Sequence, residues 1–405
     1  MTSTRGGRLV LEDIPTELWI GGQWRPSSSG ERIDVRDPAD GELVASVADA
    51  TRADALLALD AAVAVQEEWG ATTSRVRSDI LRRAFDLLSD RAEEFALLIS
   101  VEMGKPLAEA RAEVGYGAEF LRWFSEEAVR VAGDYRQVPE GTGAMIISHL
   151  PVGPCYFITP WNFPLAMATR KIAPALAAGC TVVLKPAELT PLTTLLFAQV
   201  LEHAGLPAGV VNVVPTSDPE TQSRALLADP RLRKLSFTGS TRVGVHLLEA
   251  AARNVLRTSM ELGGNAPFIV FEDADLNAAV DAAMLAKFRN IGQACTAANR
   301  FLVHDSVADE FARRVSERVS SLSVGRGTDE LAQIGPLIAH KAVANTARLV
   351  ADAVIGGAVV LTGGEAIPGP GHFFEPTVID RVGPGALLLV EEIFAPVLAI
   401  IRFST

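Results

Sequence analysis

From residue 155 onward the chain repeats one pattern. A short run of Val, Leu, Ile or aromatic residues without polar alternation is followed by a helical segment. The first such runs fall at 155–158, 181–184, 210–213, 234–237 and 257–260, with helices near 165–178, 191–204, 219–228 and 240–252. A strand that lacks alternation is buried on both faces. Strands of that kind pair in parallel sheets covered by helices on each side. A second alternation starts at Ala266-Pro267-Phe268-Ile269-Val270. Its helices lie near 275–288, 306–322 and 340–356, and its strands near 299–304, 358–361, 374–379 and 397–401. The fold class predicted is α/β, with two parallel-sheet domains. Ligands of such sheets bind at the carboxyl ends of the strands.

A chain of 405 residues exceeds one ordinary core, which agrees with two domains. Before residue 155 the pattern differs. Residues 16–50 read as short strands and turns. Helical patterns at 52–69, 74–90, 91–102 and 107–131 form a layer without its own sheet. Residues 134–153 read as a β-hairpin around Glu140-Gly141-Thr142-Gly143. Its arm Met145-Ile146-Ile147 is apolar on both sides of the pleat, and a lone ribbon of that kind is unstable. The hairpin is therefore expected to protrude and to bury a face against another chain. The boundaries drawn are 1–133 with 154–262 for one domain, 134–153 for the hairpin and 263–405 for the other.

The net charge of −12 argues against a nucleic-acid partner, since phosphate binding needs clustered Lys and Arg. No apolar run approaches a membrane span, and the first fifteen residues lack the apolar core of a signal peptide. The three cysteines are odd in number and show no metal-ligand spacing, so no metal site is expected. That pattern fits a reducing, cytoplasmic setting. Lysine is scarce, with six against many Arg, so each Lys invites inspection.

Chemistry concentrates in five stretches. In Phe288-Arg289-Asn290-Ile291-Gly292-Gln293-Ala294-Cys295-Thr296 a single Cys sits in a loop between a helix and a strand. A loop exposes a sulfur, whereas Cys155 and Cys180 lie inside apolar runs and read as structural. Thr159-Pro160-Trp161-Asn162-Phe163-Pro164 follows the first parallel strand. Its prolines stiffen a loop that presents the Asn162 amide, an oxyanion donor or simply a turn-closing Asn. Lys185-Pro186-Ala187-Glu188 places an ammonium and a carboxylate three residues apart. The pair can grip a diol, or form a solvated salt bridge. Phe237-Thr238-Gly239-Ser240-Thr241-Arg242-Val243-Gly244 runs from strand to helix. Its glycines let backbone N–H groups approach a pyrophosphate, although it is not the usual dinucleotide fingerprint. Glu261-Leu262-Gly263-Gly264-Asn265 offers a carboxylate beside two glycines. In an apolar setting it would act as a general base; otherwise it is a cap.

With Glu391-Glu392-Ile393-Phe394, and with Glu102-Met103-Gly104-Lys105-Pro106 earlier, these stretches resemble the NAD(P)-dependent aldehyde dehydrogenase superfamily, in the family's order. The resemblance implies that the Cys295 thiolate attacks an aldehyde. Asn162 and the Cys295 N–H would hold the oxyanion, and Glu261 would activate the water that releases the acid. It places Lys185 and Glu188 on the adenosine ribose and Ser240, between Gly239 and Gly244, on the pyrophosphate. Thr159, Pro160, Trp161, Leu262 and Gly263 would border the cofactor. Glu392 would hold the nicotinamide ribose, with Phe394 at that end.

Within the superfamily the chain looks most like succinate-semialdehyde dehydrogenase. Ala168-Thr169-Arg170-Lys171 and Lys287-Phe288-Arg289-Asn290 carry that likeness. It implies that Arg170 and Arg289, with Phe163 nearby, bind a substrate's distal carboxylate. Either Arg could instead pair only with a neighbouring acid. The carboxylate of Glu188 favours a ribose 2′-hydroxyl over a 2′-phosphate, so NAD is expected over NADP. A homo-oligomer, dimer or tetramer, is implied by the family. Ala297 stands where some relatives carry a second Cys, and Ala395 where Gly is common. The family normally continues past the last strand seen here, so a C-terminally incomplete catalytic domain is expected. Two other readings compete: a silent homologue that only binds nucleotide, and a thiol hydrolase, which would need a paired base that no His supplies.

Overall fold

The computed structural model describes residues 14–405 and, before them, the backbone of two strands, Thr2–Arg5 and Arg8–Leu11. Its contacts group into two compact units. The first holds a seven-stranded sheet. Its order is Arg257–Leu262, Lys234–Gly239, Cys155–Ile158, Val182–Lys185, Val211–Val213, Leu18–Ile20 and Gln23–Arg25. The pairings among Lys234–Gly239, Cys155–Ile158, Val182–Lys185 and Val211–Val213 are parallel. The last two strands add antiparallel. Every residue of Cys155–Ile158 and Val182–Lys185 is buried, as expected of strands covered on both faces.

The second unit holds a five-stranded sheet in the order Ala266–Val270, Ala298–His304, Val397–Phe403, Thr377–Asp380 and Val359–Thr362. Its first four strands are parallel and Val359–Thr362 joins antiparallel. Helices Leu276–Phe288, Asp305–Ser320 and His340–Ile355 belong to it. Phe301, Phe311, Val378 and Leu398 are among the fully buried residues of its core.

Local chemistry starts the helices where the sequence places them. Thr51 and Asp54 form a reciprocal capping box before Arg52–Ala71. The Asp275 carboxylate accepts from the Asn277 and Ala278 N–H groups before Leu276–Phe288. Strand and helix ends move by one to three residues from the sequence estimates; for example, the strand expected at 374–379 is Thr377–Asp380.

Two segments fall differently from the sequence boundaries. Residues 36–44 and 99–110 pack in the second unit rather than the first. Long-range pairing is the reason. Arg326 pairs with both Asp37 and Asp40, and the Leu107 N–H donates to the Gly327 carbonyl at 2.9 Å.

The hairpin comprises Asp134–Gln137 and Ala144–Ile147 in antiparallel register, with Tyr135 opposite Ile146. Ile146 is 80% and Leu150 83% exposed. No helix among the described residues is long and apolar enough to cross a membrane.

Candidate active site

In the first unit the loop 159–165 is held at four points. The Thr159 N–H donates to the Lys185 carbonyl at 3.1 Å, tying it to the neighbouring strand. The Thr190 and Thr194 hydroxyls donate to the Trp161 and Pro164 carbonyls, each at 3.3 Å. The buried Glu113 carboxylate then accepts from the Leu165 and Ala166 N–H groups at 2.9 and 3.2 Å. That carboxylate satisfies the opening of helix Ala166–Ala177. The Asn162 side chain is buried in this fixed loop, while Trp161 and Phe163 are half-buried. Glu113 was not singled out from sequence, because only the fold brings it to a helix start 52 residues away.

Arg170 lies one turn into that helix, and its Nη2 stands 3.4 Å from Glu261 Oε1. Glu261 closes the edge strand with a side chain about half exposed. The apolar setting expected for Glu261 is therefore not what surrounds it: an edge position and a guanidinium partner keep it polar. The pairing of Arg170 with an acid, one of its two sequence readings, is realised.

Lys185 is buried and donates to Glu188 Oε2 at 3.0 Å. Burial pushes the Glu188 carboxyl up, but the Lys185 ammonium and a backbone N–H outweigh it and hold it below its ordinary value. Ser240 occupies the N-cap of Thr241–Ala252 without a side-chain bond to the helix. Its hydroxyl and the first-turn N–H groups suit an anion. A fixed ammonium–carboxylate pair and an uncapped helix start in one unit fit the ribose and pyrophosphate of a dinucleotide.

In the second unit the helix Leu276–Phe288 ends in a tight turn. Asn290 and Ile291 have φ of 55° and 62°, and Gly292 follows at 71°. Only Gly fits position 292, because a Cβ there would collide with the Ala395 carbonyl oxygen. Asn290 Nδ2 donates to the Gln293 carbonyl at 2.9 Å. The Gln293 side-chain oxygen accepts from the Ile338 N–H at 3.1 Å. Cys295 follows, partly exposed, whereas Cys155 and Cys180 are buried. Arg289 is exposed and borders a cavity of about 170 Å³ with Ala294 and Thr296. Glu109, which the sequence reading passed over, accepts the Asn290 N–H and faces Lys105 and Arg289. Burial outweighs these neighbours and raises its pKa.

Lys287 lies on the apolar stripe of its helix and is fully buried. Its ammonium donates to Asn299 Oδ1 at 2.7 Å and to the Ile393 carbonyl at 3.0 Å. Asn299 in turn donates to the Gly264 carbonyl at 3.3 Å. The Gly264 N–H reaches Glu392 Oε1 at 3.5 Å. A Cβ at Gly263 would occupy the place of the Glu392 carboxylate. One buried cation thus ties together the turn at 263–264 and the segment 391–394. Burial raises the Glu392 pKa, against the Gly264 N–H and the Lys287 charge. Leu262, Gly263 and Phe394 are all half-buried around this network.

An α/β chain carrying a loop-borne thiol, a clamped Asn loop, an edge glutamate and a dinucleotide-type ammonium–carboxylate pair has the parts of a thiol-dependent oxidoreductase. Residues 24–405 match the aldehyde dehydrogenase family, and the chain belongs to that family. It is 61% identical over 363 residues to a succinate-semialdehyde dehydrogenase of Paenarthrobacter nicotinovorans, covering 90% of this chain and 81% of that one. It is 47% identical over 389 residues to a succinate-semialdehyde dehydrogenase of Escherichia coli (strain K12) named for NADP(+), covering 95% and 80%. A crystal structure of succinate-semialdehyde dehydrogenase from Burkholderia pseudomallei superposes with a TM-score of 0.95 at 46% identity, covering 97% of this chain and 81% of that chain. The protein is an NAD(P)-dependent aldehyde dehydrogenase.

Proposed function

We propose that this enzyme oxidises succinate semialdehyde to succinate, with NAD+ preferred over NADP+. The observation that carries the substrate reading is the Arg170–Glu261 pair. A guanidinium, 40% exposed, rests on the carboxylate assigned as base. An exposed ion pair of this kind is weak. A substrate carboxylate can therefore draw Arg170 away and release Glu261 for proton transfer. Arg289 supplies a second guanidinium on the nucleophile's own turn. The names of the relatives support the same substrate.

In this reading the Cys295 thiolate adds to the aldehyde carbon. The Asn162 amide and the Cys295 N–H hold the oxygen as it gains charge. Lys185, Glu188 and Ser240 would hold one end of the cofactor, bordered by Thr159, Pro160, Trp161, Gly239 and Gly244. Glu392 and Phe394, with Leu262 and Gly263, would hold the other. Bound NAD(P)+ supplies the hydride acceptor. Cys295 then carries the acyl group as a thioester, and Glu261 takes a proton from the water that opens it. Phe163 supplies an apolar wall to the substrate. The first unit would serve the cofactor and the second the thiol, while the hairpin would mediate a dimer or tetramer. The odd cysteine count supports a cytoplasmic location.

The test is NADH formation from succinate semialdehyde by the wild type and by Cys295→Ala. Turnover lost only in the variant supports the reading. Equal rates in both, or no NADH from the wild type, reject it.

A further inference from the structure

The first unit contains a second pair of thiols that the dehydrogenase mechanism does not use. Cys155 opens the third strand in the sheet's order, and Cys180 lies two residues before the central strand beside it. The Cys155 N–H donates to the Thr181 carbonyl at 2.9 Å, so the two backbones run side by side at this point. Val182, two residues after Cys180, is the in-register partner of Cys155, and each of the two thiols shifts the titration of the other. Cys155 Sγ also lies 3.3 Å from the Gly153 carbonyl oxygen. Both residues, themselves buried, line one cavity of about 480 Å³ that opens to solvent.

The charge lining that cavity is one-sided. Arg170, Lys171, Lys234 and Arg257 border it, against Glu261 alone among carboxylates. Lys171 and Lys234 donate to the Ser236 and Ser259 hydroxyls, at 2.7 and 2.6 Å, rather than to acids. Arg77, which does not line the cavity, also interacts electrostatically with Cys180. Positive surroundings of this kind favour a thiolate. The Cys155 thiol pointing at Cys180 lowers the Cys180 pKa most. The N–H groups of Gly153 and Val152 and the Lys234 charge add to this, against burial, and the result is about 6. The Cys155 thiol is pushed well up by the same bond and by burial, so it keeps its proton. The two sulfurs thus differ, Cys180 being the more readily ionised, and that asymmetry suits an attacking and a resolving cysteine.

We propose that Cys155 and Cys180 form a peroxide-reactive dithiol, separate from Cys295, that closes to a disulfide. The Cys180 thiolate attacks one oxygen of a hydroperoxide. The S–O bond forms, the O–O bond breaks, and the leaving oxygen takes a proton to depart as water or alcohol. The Cys155 sulfur then attacks the sulfenic sulfur. The S–S bond forms, the S–O bond breaks, and the hydroxyl leaves as water with the Cys155 proton. Two thiols lose two electrons, and the hydroperoxide is reduced.

The test uses the full chain carrying Cys295→Ser, so that the catalytic thiol cannot report. The folded protein is treated with hydrogen peroxide, alkylated after denaturation and mapped by peptide mass. The expected result is a cross-linked Cys155–Cys180 peptide, loss of both remaining titratable thiols, and their recovery with dithiothreitol. In Cys155→Ser/Cys295→Ser, dimedone should label Cys180; in Cys180→Ser/Cys295→Ser, Cys155 should stay unlabelled. Native alkylation of Cys180 in the Cys295→Ser protein should rise through about pH 6 rather than near 9. Two thiols still titratable after peroxide, or Cys180 oxidised without a cross-link while Cys155 is intact, would overturn the proposal.

Discussion

Arg170 Nη2 and Glu261 Oε1 stand 3.4 Å apart at one edge of the first unit's sheet. One member is the carboxylate assigned to proton transfer, and the other is a guanidinium assigned to the substrate. Replacing Arg170 with Met should therefore penalise a substrate that bears a distal carboxylate. A charge-assisted hydrogen bond is worth roughly 1.5–3 kcal/mol, or about 10- to 150-fold in kcat/KM. Succinate semialdehyde should lose that much, and an uncharged aldehyde of similar length far less. Equal losses on both substrates would mean that Arg170 serves Glu261 alone.

The Lys185–Glu188 pair bears on the choice of cofactor. A carboxylate accepts a bond from a 2′-hydroxyl and repels a 2′-phosphate. The wild type should show the higher kcat/KM with NAD+, and Glu188→Ser should move the ratio toward NADP+. A wild type that favours NADP+ at steady state would remove this reading and leave the substrate reading untouched.

Gly292 answers for the nucleophile's position. Gly292→Ala must place a methyl group against the Ala395 carbonyl at a φ of 71°. The left-handed backbone alone costs about 1–2 kcal/mol for Ala, and the collision adds to it. Dehydrogenase activity should fall by more than tenfold while the protein stays folded by circular dichroism. Full activity in this variant would show that the turn relaxes freely.

Buried Lys287 has its pKa lowered to about 7 by desolvation, partly opposed by Glu392. The unfolded chain holds that proton up to about 10.4. Between these values the unfolded state binds more protons, so this group adds stability as pH rises from about 7 toward 10. The slope is at most about 1.4 kcal/mol per pH unit. Lys287→Met should lose that dependence. Urea midpoints measured at neutral and alkaline pH for both proteins check it, and parallel trends would refute the assignment.

The hairpin offers Tyr135, Ile146 and Leu150 to solvent at 65, 80 and 83% exposure. Burying such side chains contributes about 1.5–3 kcal/mol each. Ile146→Asp should weaken self-association, lowering the mass seen by sedimentation velocity. An unchanged mass would place any subunit contact elsewhere.

Much of this was legible in local sequence. Unalternated apolar runs such as 155–158 gave the parallel strands, because burial on both faces leaves no room for polar residues. Loops at strand ends made Asn162, Glu188 and Cys295 candidates, because chemistry needs side chains freed from the sheet. The scarcity of Lys was informative in a way composition could not explain: Lys105, Lys171, Lys185 and Lys287 are buried, four of the six.

What the chain alone determined is periodic: which residues are strand, helix or loop, since the pleat and the helical turn repeat over a few positions. Only the tertiary structure decided which distant charges meet. It set Arg170 on Glu261, Glu113 under the Asn162 loop, Arg326 on Asp37 and Asp40, and Lys287 among Asn299 and Ile393. Those partners lie from 12 to 289 residues apart and on separate elements, where no local spacing records them. Desolvation and ion pairing act through space, so they fix the character of the site only after the fold has closed.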